Sequence, residues 1–483
     1  MRSTDPNERI AVAVRALADA VPVTPPDPAE LLARAAAPRS QPARPPRVGA
    51  PRAGWLGPLV TAAAVLALLG GVVVGPGLLT SLEPLPGAVT GRPVLPARPA
   101  GLSLLTAPVS TAPAGPAGLS YVQGNTGPRR LRTSQTIVVG IDGKSYRRVD
   151  EAERRGGPAE WASWRDAPIL LSPDGGRVAV GSVRSVRSLA VVDLRTGKTR
   201  EYPIEPAGVV QPFAWSPDGT RVAYGTRADG APPDLGLGVP AAILNLDTGG
   251  STPLPGPVSG AAFSPNGNRL AIQGNISVSD EGPEAGAVHI VDLAGAKQAT
   301  RVSGKFGLQI AGPNAWLPDG MFIAMVDNAG VGKEQCLVTF LGATDFAIGP
   351  PAPIPSPDGE IGVVGWRGSG GLLITPLSAL SNRPVYETSY DGEMREVIRM
   401  GDGWPAEFGH TYDLQVAAGV LQDAEFRAGG APDRGPWPWW WRATIGAGLL
   451  MVAGLGYLVW RRRTRRVAAQ PVRAARSAVS DAT

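Results

Sequence analysis

The chain has 483 residues, a formal net charge of +5 and a hydrophobic fraction of 43%, too long for one average core and too apolar for a wholly disordered polymer. Its 63 Gly and 50 Pro exclude a helical bundle and favour many short elements joined by turns. The lone cysteine, Cys336, excludes an intramolecular disulfide, and the basic RRRTRR cluster at 461–466 directly follows an apolar run, which argues for a membrane surface and against nucleic acid.

Residues 1–52 read as a small helical or partly disordered head. Ile10, Val14, Leu17 and Val21 share one helix face, and DPAELLARAAA (27–37) opens with Asp27 as N-cap, Pro28 at the first helical position and Glu30 closing a capping box. Such short helices need a partner, a membrane surface or partial disorder, and a cytoplasmic protein is one candidate partner of residues 1–40. A sigma factor is one option, because a helical head, a span and an exterior sensor form the layout of transmembrane anti-sigma proteins. The His and Cys of their zinc-containing members are absent.

No charged residue lies between Ala53 and Leu82, and a run of this length predicts a first transmembrane helix over 53–82. A second is predicted over 443–460, ATIGAGLLMVAGLGYLVW, with Arg442 and Arg461 snorkelling from its ends. Arginines before the first span and after the second predict cytoplasmic termini and a two-pass plasma-membrane protein. The lipid bilayer is then one partner, WPWWW (437–441) forms an aromatic belt in a linker over 428–442, and 461–483 is a basic cytoplasmic tail. Between the spans, the Pro, Gly and Ala content of 83–118 predicts an extended linker.

Residues 119–427 alternate short apolar strands with turns. One phrase recurs as LLSPDGGRVAVGS (170–182), AWSPDGTRVAYGT (214–226), AFSPNGNRLAIQG (262–274), AWLPDGMFIAMVD (315–327) and, more weakly, GWRGSGGLLITPL (365–377). In the four best copies, Pro173, Pro217, Pro265 and Pro318 pre-set the first turn position. Asp174, Asp218, Asn266 and Asp319 bond back to the backbone, and Gly175, Gly219, Gly267 and Gly320 take the dihedral other residues resist. After each turn, larger apolar residues flank a small Ala (Ala179, Ala223, Ala271, Ala324), a pattern suited to strands buried between stacked sheets. Each copy is followed by a second hairpin: AVVDLRTGKTREY (190–202), AILNLDTGGSTPL (242–254), HIVDLAGAKQATRV (289–302), LVTFLGATDFAI (337–348) and VYETSYDGEMREV (385–397). SYVQG with IVVGIDGKSYRRV (137–149) supplies a degenerate first unit. Four strands per unit of about 45 residues is the period of a propeller blade, which must stack in a ring. The expected fold is all-β, a six-bladed β-propeller flanked by two transmembrane helices. SPDG at 356–359 is off the pattern and reads as an inter-blade turn.

The WSPDG turn before a strand reading RVAY resembles TolB-like and WD-repeat-like β-propellers over 119–427. With its linker and spans, the chain is also similar to a group of actinobacterial two-pass membrane propeller proteins, and its five Lys against 41 Arg fit that source. The motif is specific for fold, whereas propellers host enzymes, sensors and scaffolds alike.

Candidate chemistry is sparse. Only His289 and His410 are available as imidazole bases; the first sits in strand alternation and the second in a loop near ring closure. No G-x-S-x-G elbow, zinc spacing, calcium loop or phosphate loop occurs, so no catalytic residue, cofactor or metal is assigned. Trp161 and Trp164, in EWASWRDAP, are the candidate ligand contacts on a propeller face, against the plainer reading of a loop packed on its own blade. Trp215, Trp316 and Trp366 read as inter-blade packing. The expectation is a non-enzymatic binding, sensing or scaffolding module for an extracytoplasmic protein or small-molecule ligand. The alternative is a propeller enzyme with its active site at the channel mouth.

Overall fold

The computed structural model describes residues 91–101, 103–124, 134–156, 167–228, 238–274, 278–279, 282–283, 287–293, 300–303, 308–327, 335–343, 352–355, 361–368, 371–376, 384–388, 393–400, 410–437 and 439–480. The chain divides into two units, Met1–Leu66 and Ala67–Thr483, and every described residue belongs to the second. The expected head, the first expected span, the SPDG at 356–359 and both candidate contacts, Trp161 and Trp164, lie outside the described residues.

The described part is mostly β and its main sheets are antiparallel and four-stranded, or fusions of such sheets, beside two two-stranded pairs. The turn phrase explains why. Ser172, Ser216 and Ser264 each bond Oγ to the turn carboxylate or amide two residues on and accept the backbone N–H five residues on. Gly175, Gly219, Gly267 and Gly320 all have φ between 67° and 70°, the left-handed region that glycine enters without a Cβ penalty. Each turn therefore closes on its own atoms and launches a strand: Arg177–Val180, Arg221–Arg227, Arg269–Gly274 and Phe322–Asp327. The small residue at each strand centre, Ala179, Ala223, Ala271 or Ala324, is fully buried, because sheets press on both faces and leave room for one methyl group.

The largest sheet has ten strands in sequence order, reversed only in direction, from Ile169–Leu171 to Thr300–Ser303. Two long strands make it continuous. Thr199–Trp215 pairs through 199–203 with 188–192 and through 209–215 with 222–227. Ser251–Phe263 does the same between Val239–Asn245 and Arg269–Gly274. Each thus ends one four-stranded group and begins the next. Two separate four-stranded sheets follow, one from Leu308–Ile310 to Ala352–Pro355 and one from Ile361–Arg367 to Met394–Ile398. In the first, Gln335–Gly342 pairs with Ala352–Pro355, so the outer partner lies beyond the phrase at 337–348.

The last sheet joins the two ends of the chain. His410–Val416 pairs with Ala117–Gly124, which continues to Gln135–Gly140 and Tyr146–Arg148. His410, expected in a loop, opens this strand opposite Gly124. The two short flanking helices, Asp150–Arg155 and Ala418–Leu421, pack on the same region.

The expected linker is also corrected in its described part. Val94–Pro96 pairs in parallel with Glu425–Arg427, and Leu95, Thr106, Ala107 and Val109 are buried. Arg434 donates to Gly101 O at 2.8 Å and Thr106 Oγ1 at 2.9 Å, while Arg147 pairs with Asp433 at 2.9 Å. The segments before and after the sheets thus hold one another.

The membrane topology is corrected as well. Trp439–Ser480 is one helix of 42 residues, running without a break from the expected belt through 443–460 and RRRTRR. Its apolar stretch carries four glycines (Gly446, Gly448, Gly454, Gly456), and eight arginines share the same helix. Among the described residues no helix is long and apolar enough to cross a membrane. The two-pass plasma-membrane localisation therefore does not stand.

Candidate functional site

The innermost strands of these sheets surround a cavity of about 370 Å³. Its walls come from Ile169–Leu171, Leu308–Ile310, Ile361–Arg367, His410–Val416 and the C-terminal halves of Thr199–Trp215 and Ser251–Phe263. The innermost strand of each four-stranded group has an unpaired edge, and here side chains from the next group reach backbone at or beside it. Trp215 Nε1 donates to Leu170 O at 2.9 Å, Trp316 Nε1 to Ala262 O at 2.8 Å and Trp366 Nε1 to Asn314 O at 2.9 Å. Amides do the same: Asn314 Nδ2 donates to Val364 O at 2.9 Å, and Gln273 Oε1 accepts from Ile310 N–H at 2.8 Å. The equivalent pre-turn tryptophans are thus buried staples between successive four-stranded groups.

Gln415 is the staple between His410–Val416 and Ile169–Leu171. Its Oε1 accepts from Leu171 N–H at 2.9 Å and its Nε2 donates to Ile169 O at 2.8 Å, as a paired strand would. The same Nε2 lies 3.3 Å from Oδ1 of Asp413. Asp413 is exposed to the cavity and has φ 51°, the one positive φ of a non-glycine residue among the described residues. A register shift opposite Ser120 and Val122 places it there, and local strain of this kind concentrates at functional sites. Neither residue is marked by the repeat, because the closing strand carries no SPDG phrase.

The turns form a second constellation, on the rim. Arg177 stacks over Trp215 and Arg221 over Phe263, each at 5.6 Å from the ring centroid; Arg221 Nη2 also donates to Gly267 O at 2.8 Å. Each arginine following a turn grips the next turn along. Burial alone would raise the Asp174 and Asp218 carboxyls, but hydrogen bonds from Ser172 and Gly176 N–H to the first, and from Ser216 and Thr220 to the second, hold both below the usual carboxylate range. Pro173, Pro217, Pro265, Asn266, Pro318 and Asp319 occupy the same turns, where their work is structural.

His289, in Ala287–Asp292, and His410 are on different sheets, and Cys336 is on a third. Among the described residues no group of His, Cys, Asp and Glu could hold a metal ion.

No family model matches the chain. The dipeptidyl-peptidase 5 of Porphyromonas gingivalis is 27% identical over 167 residues, 33% of this chain and 22% of that protein. The chain thus matches about a fifth of the length of this curated relative. Among solved structures, TolB from Acinetobacter baumannii matches with 18% identity and a TM-score of 0.39, over 62% of this chain and 67% of its own. An acylaminoacyl peptidase from Pyrococcus horikoshii matches with 15% identity and a TM-score of 0.38, over 59% and 45%. The described sheets, four-stranded or fused from such sheets, stand about a shared cavity. The expectation of a non-enzymatic protein is corrected by the curated relative, which is named as a peptidase.

Proposed function

We propose that the chain is a six-bladed β-propeller that receives peptides in its central cavity and belongs to a peptidase-like enzyme, with the active site at the cavity mouth. The cavity supports this most directly. Its volume of about 370 Å³ falls within the range of small-ligand sites, roughly 300–1,000 Å³, and such sites combine apolar walls with a few placed polar groups. Ile169, Ile310 and Val363 supply the first kind of wall and Gln211, Gln309 and Gln415 the second. Alternating amides and strand backbone suit the repeating donors and acceptors of an extended peptide. Six innermost strands, one from each proposed blade, supply most of the lining, and the curated relative is named as a dipeptidyl-peptidase.

Two measurements on the purified full-length protein test this. Dipeptidyl and aminoacyl coumarin amides report hydrolysis, and polarisation of a fluorescein-labelled peptide library reports binding. Binding without turnover would remove the enzymatic half of the reading. Absence of both would remove all of it.

A further inference from the structure

We infer that the last helix, Trp439–Ser480, docks on an anionic lipid surface, with one apolar face laid along the hydrocarbon boundary and its arginines among the headgroups. It lies on the surface and does not cross it.

Met451, Val452, Leu455, Leu458 and Val459 recur at spacings of three and four residues and so share one side of the helix. Each is between 51% and 68% exposed. Nine of the thirteen exposed large apolar side chains among the described residues belong to this helix, and a concentration of that kind marks a contact surface. The opposite side is mostly small, with Gly446, Ala453, Gly454 and Gly456. From 451 to 459 the apolar face is about 12 Å long at the rise of an α-helix, well short of the roughly 30 Å hydrocarbon core. That length suits shallow burial along a surface.

Charge names the occupant. The helix carries eight arginines and no acidic residue, whereas the remainder of the chain is net acidic. A second copy would bring two strongly cationic helices together, and a nucleic acid would leave the apolar face in water. An anionic lipid surface meets both needs, with hydrocarbon for the apolar face and phosphates for the arginines. Arg461, Arg462 and Arg463 follow the face directly and are exposed. Tyr457 and Trp460, their ring centroids 5.9 Å apart, stand at the junction, where amphipathic rings favour the headgroup layer.

Flotation of the purified full-length chain with sealed phosphatidylcholine vesicles, alone or mixed with phosphatidylglycerol, tests this. Partitioning should be tighter into the mixed vesicles. Replacing Arg461, Arg462 and Arg463 together by Gln should weaken that binding about a hundredfold and leave partitioning into the neutral vesicles unchanged. Leu455→Gln with Leu458→Gln should weaken binding to both kinds of vesicle about tenfold or more. Gln is a helix former comparable with Leu, and melting of each variant verifies that the sheets stay folded. Trypsin added outside the vesicles should still cut at Arg473 and Arg476. Shielding of these two until detergent is added would show a crossing helix and overturn the inference. Equal partitioning into neutral and mixed vesicles, or variants that bind as tightly as the parent chain, would overturn it too. Self-association in place of vesicle binding, lost in the double leucine variant, would assign the face to a second copy. Capture by an oligonucleotide in place of vesicle binding, kept in that variant, would assign the arginines to nucleic acid.

Discussion

Glycine substitutions in the repeated turns separate the cost of a backbone angle from the cost of a collision. Gly175 and Gly249 have nearly the same conformation, φ 67° and 75°. A Cβ on Gly249 would meet nothing within 4 Å, whereas one on Gly175 would lie 1.9 Å from the carbonyl oxygen of Ala117. Alanine in the left-handed region costs about 1–2 kcal/mol at either site. At Gly175 backbone must also move, and the strand it would displace is the one that pairs with the closing strand, anchored there by Ala117 N–H to Gly175 O at 2.8 Å. Overpacking of this kind adds about 1–3 kcal/mol. Gly175→Ala should therefore lose roughly twice the stability of Gly249→Ala, in urea unfolding followed by far-UV circular dichroism. Gly219→Val falls between, because its Cβ would meet only the Nη2 end of Arg177 at 2.9 Å, which can swing aside. Equal losses at 175 and 249 would refute the packing argument and leave only the dihedral one.

Arg221→Ala, which removes the bond to Gly267 O and the stack on Phe263, should cost about 1–2 kcal/mol in the same assay, and Arg221→Lys should not restore it because a point ammonium lacks the planar fork. Burial pushes the Glu153 carboxyl up to about 7 despite Arg148 beside it, with Asp150 pushing the same way, and its Oε1 has no partner. A carboxyl with a raised folded-state pKa contributes stability below its ordinary value of 4.5 and loses it as pH rises through about 7, so melting temperature should fall across that window and Glu153→Gln should flatten the fall. Asp433 acts in the opposite sense. Burial raises it, but the Arg147 and Gly435 bonds outweigh burial and hold it below 3.8, so its contribution is kept above that value and lost as pH falls below it. Asp433→Ala should release residues 428–437 to limited proteolysis at neutral pH while the sheets stay folded; unchanged cleavage would show that the Arg434 side chain and the backbone bonds of 433 and 434 suffice to hold this segment.

What could be read from the amino acids was what they encode locally. Ser172, Asp174 and Gly175 close a turn within five residues, and the Ala that follows is small because two sheets meet at its methyl group; both facts are visible in one phrase of thirteen letters. The pairing of early and late strands is not of this kind. His410–Val416 pairs with Ala117–Gly124 across nearly the whole folded region, and no turn chemistry announces a pairing at that separation. The same distance hid the role of residues 91–116. Their Pro and Ala content correctly denies them a core of their own, yet Leu95 and Val109 are fully buried in a core that other segments supply. The apolar run at 443–460 shows the converse error, since hydropathy scored the run without the arginine-rich helix it belongs to. The candidate site inherits this division. Its walls are the innermost strands beside the SPDG turns, so they were foreseeable. Its one carboxylate sits on the closing strand, where the repeat is absent and a register shift sets the geometry. A search for nucleophiles, bases and metal ligands passes over such a residue, because Asp413 owes its position to a long-range strand pairing.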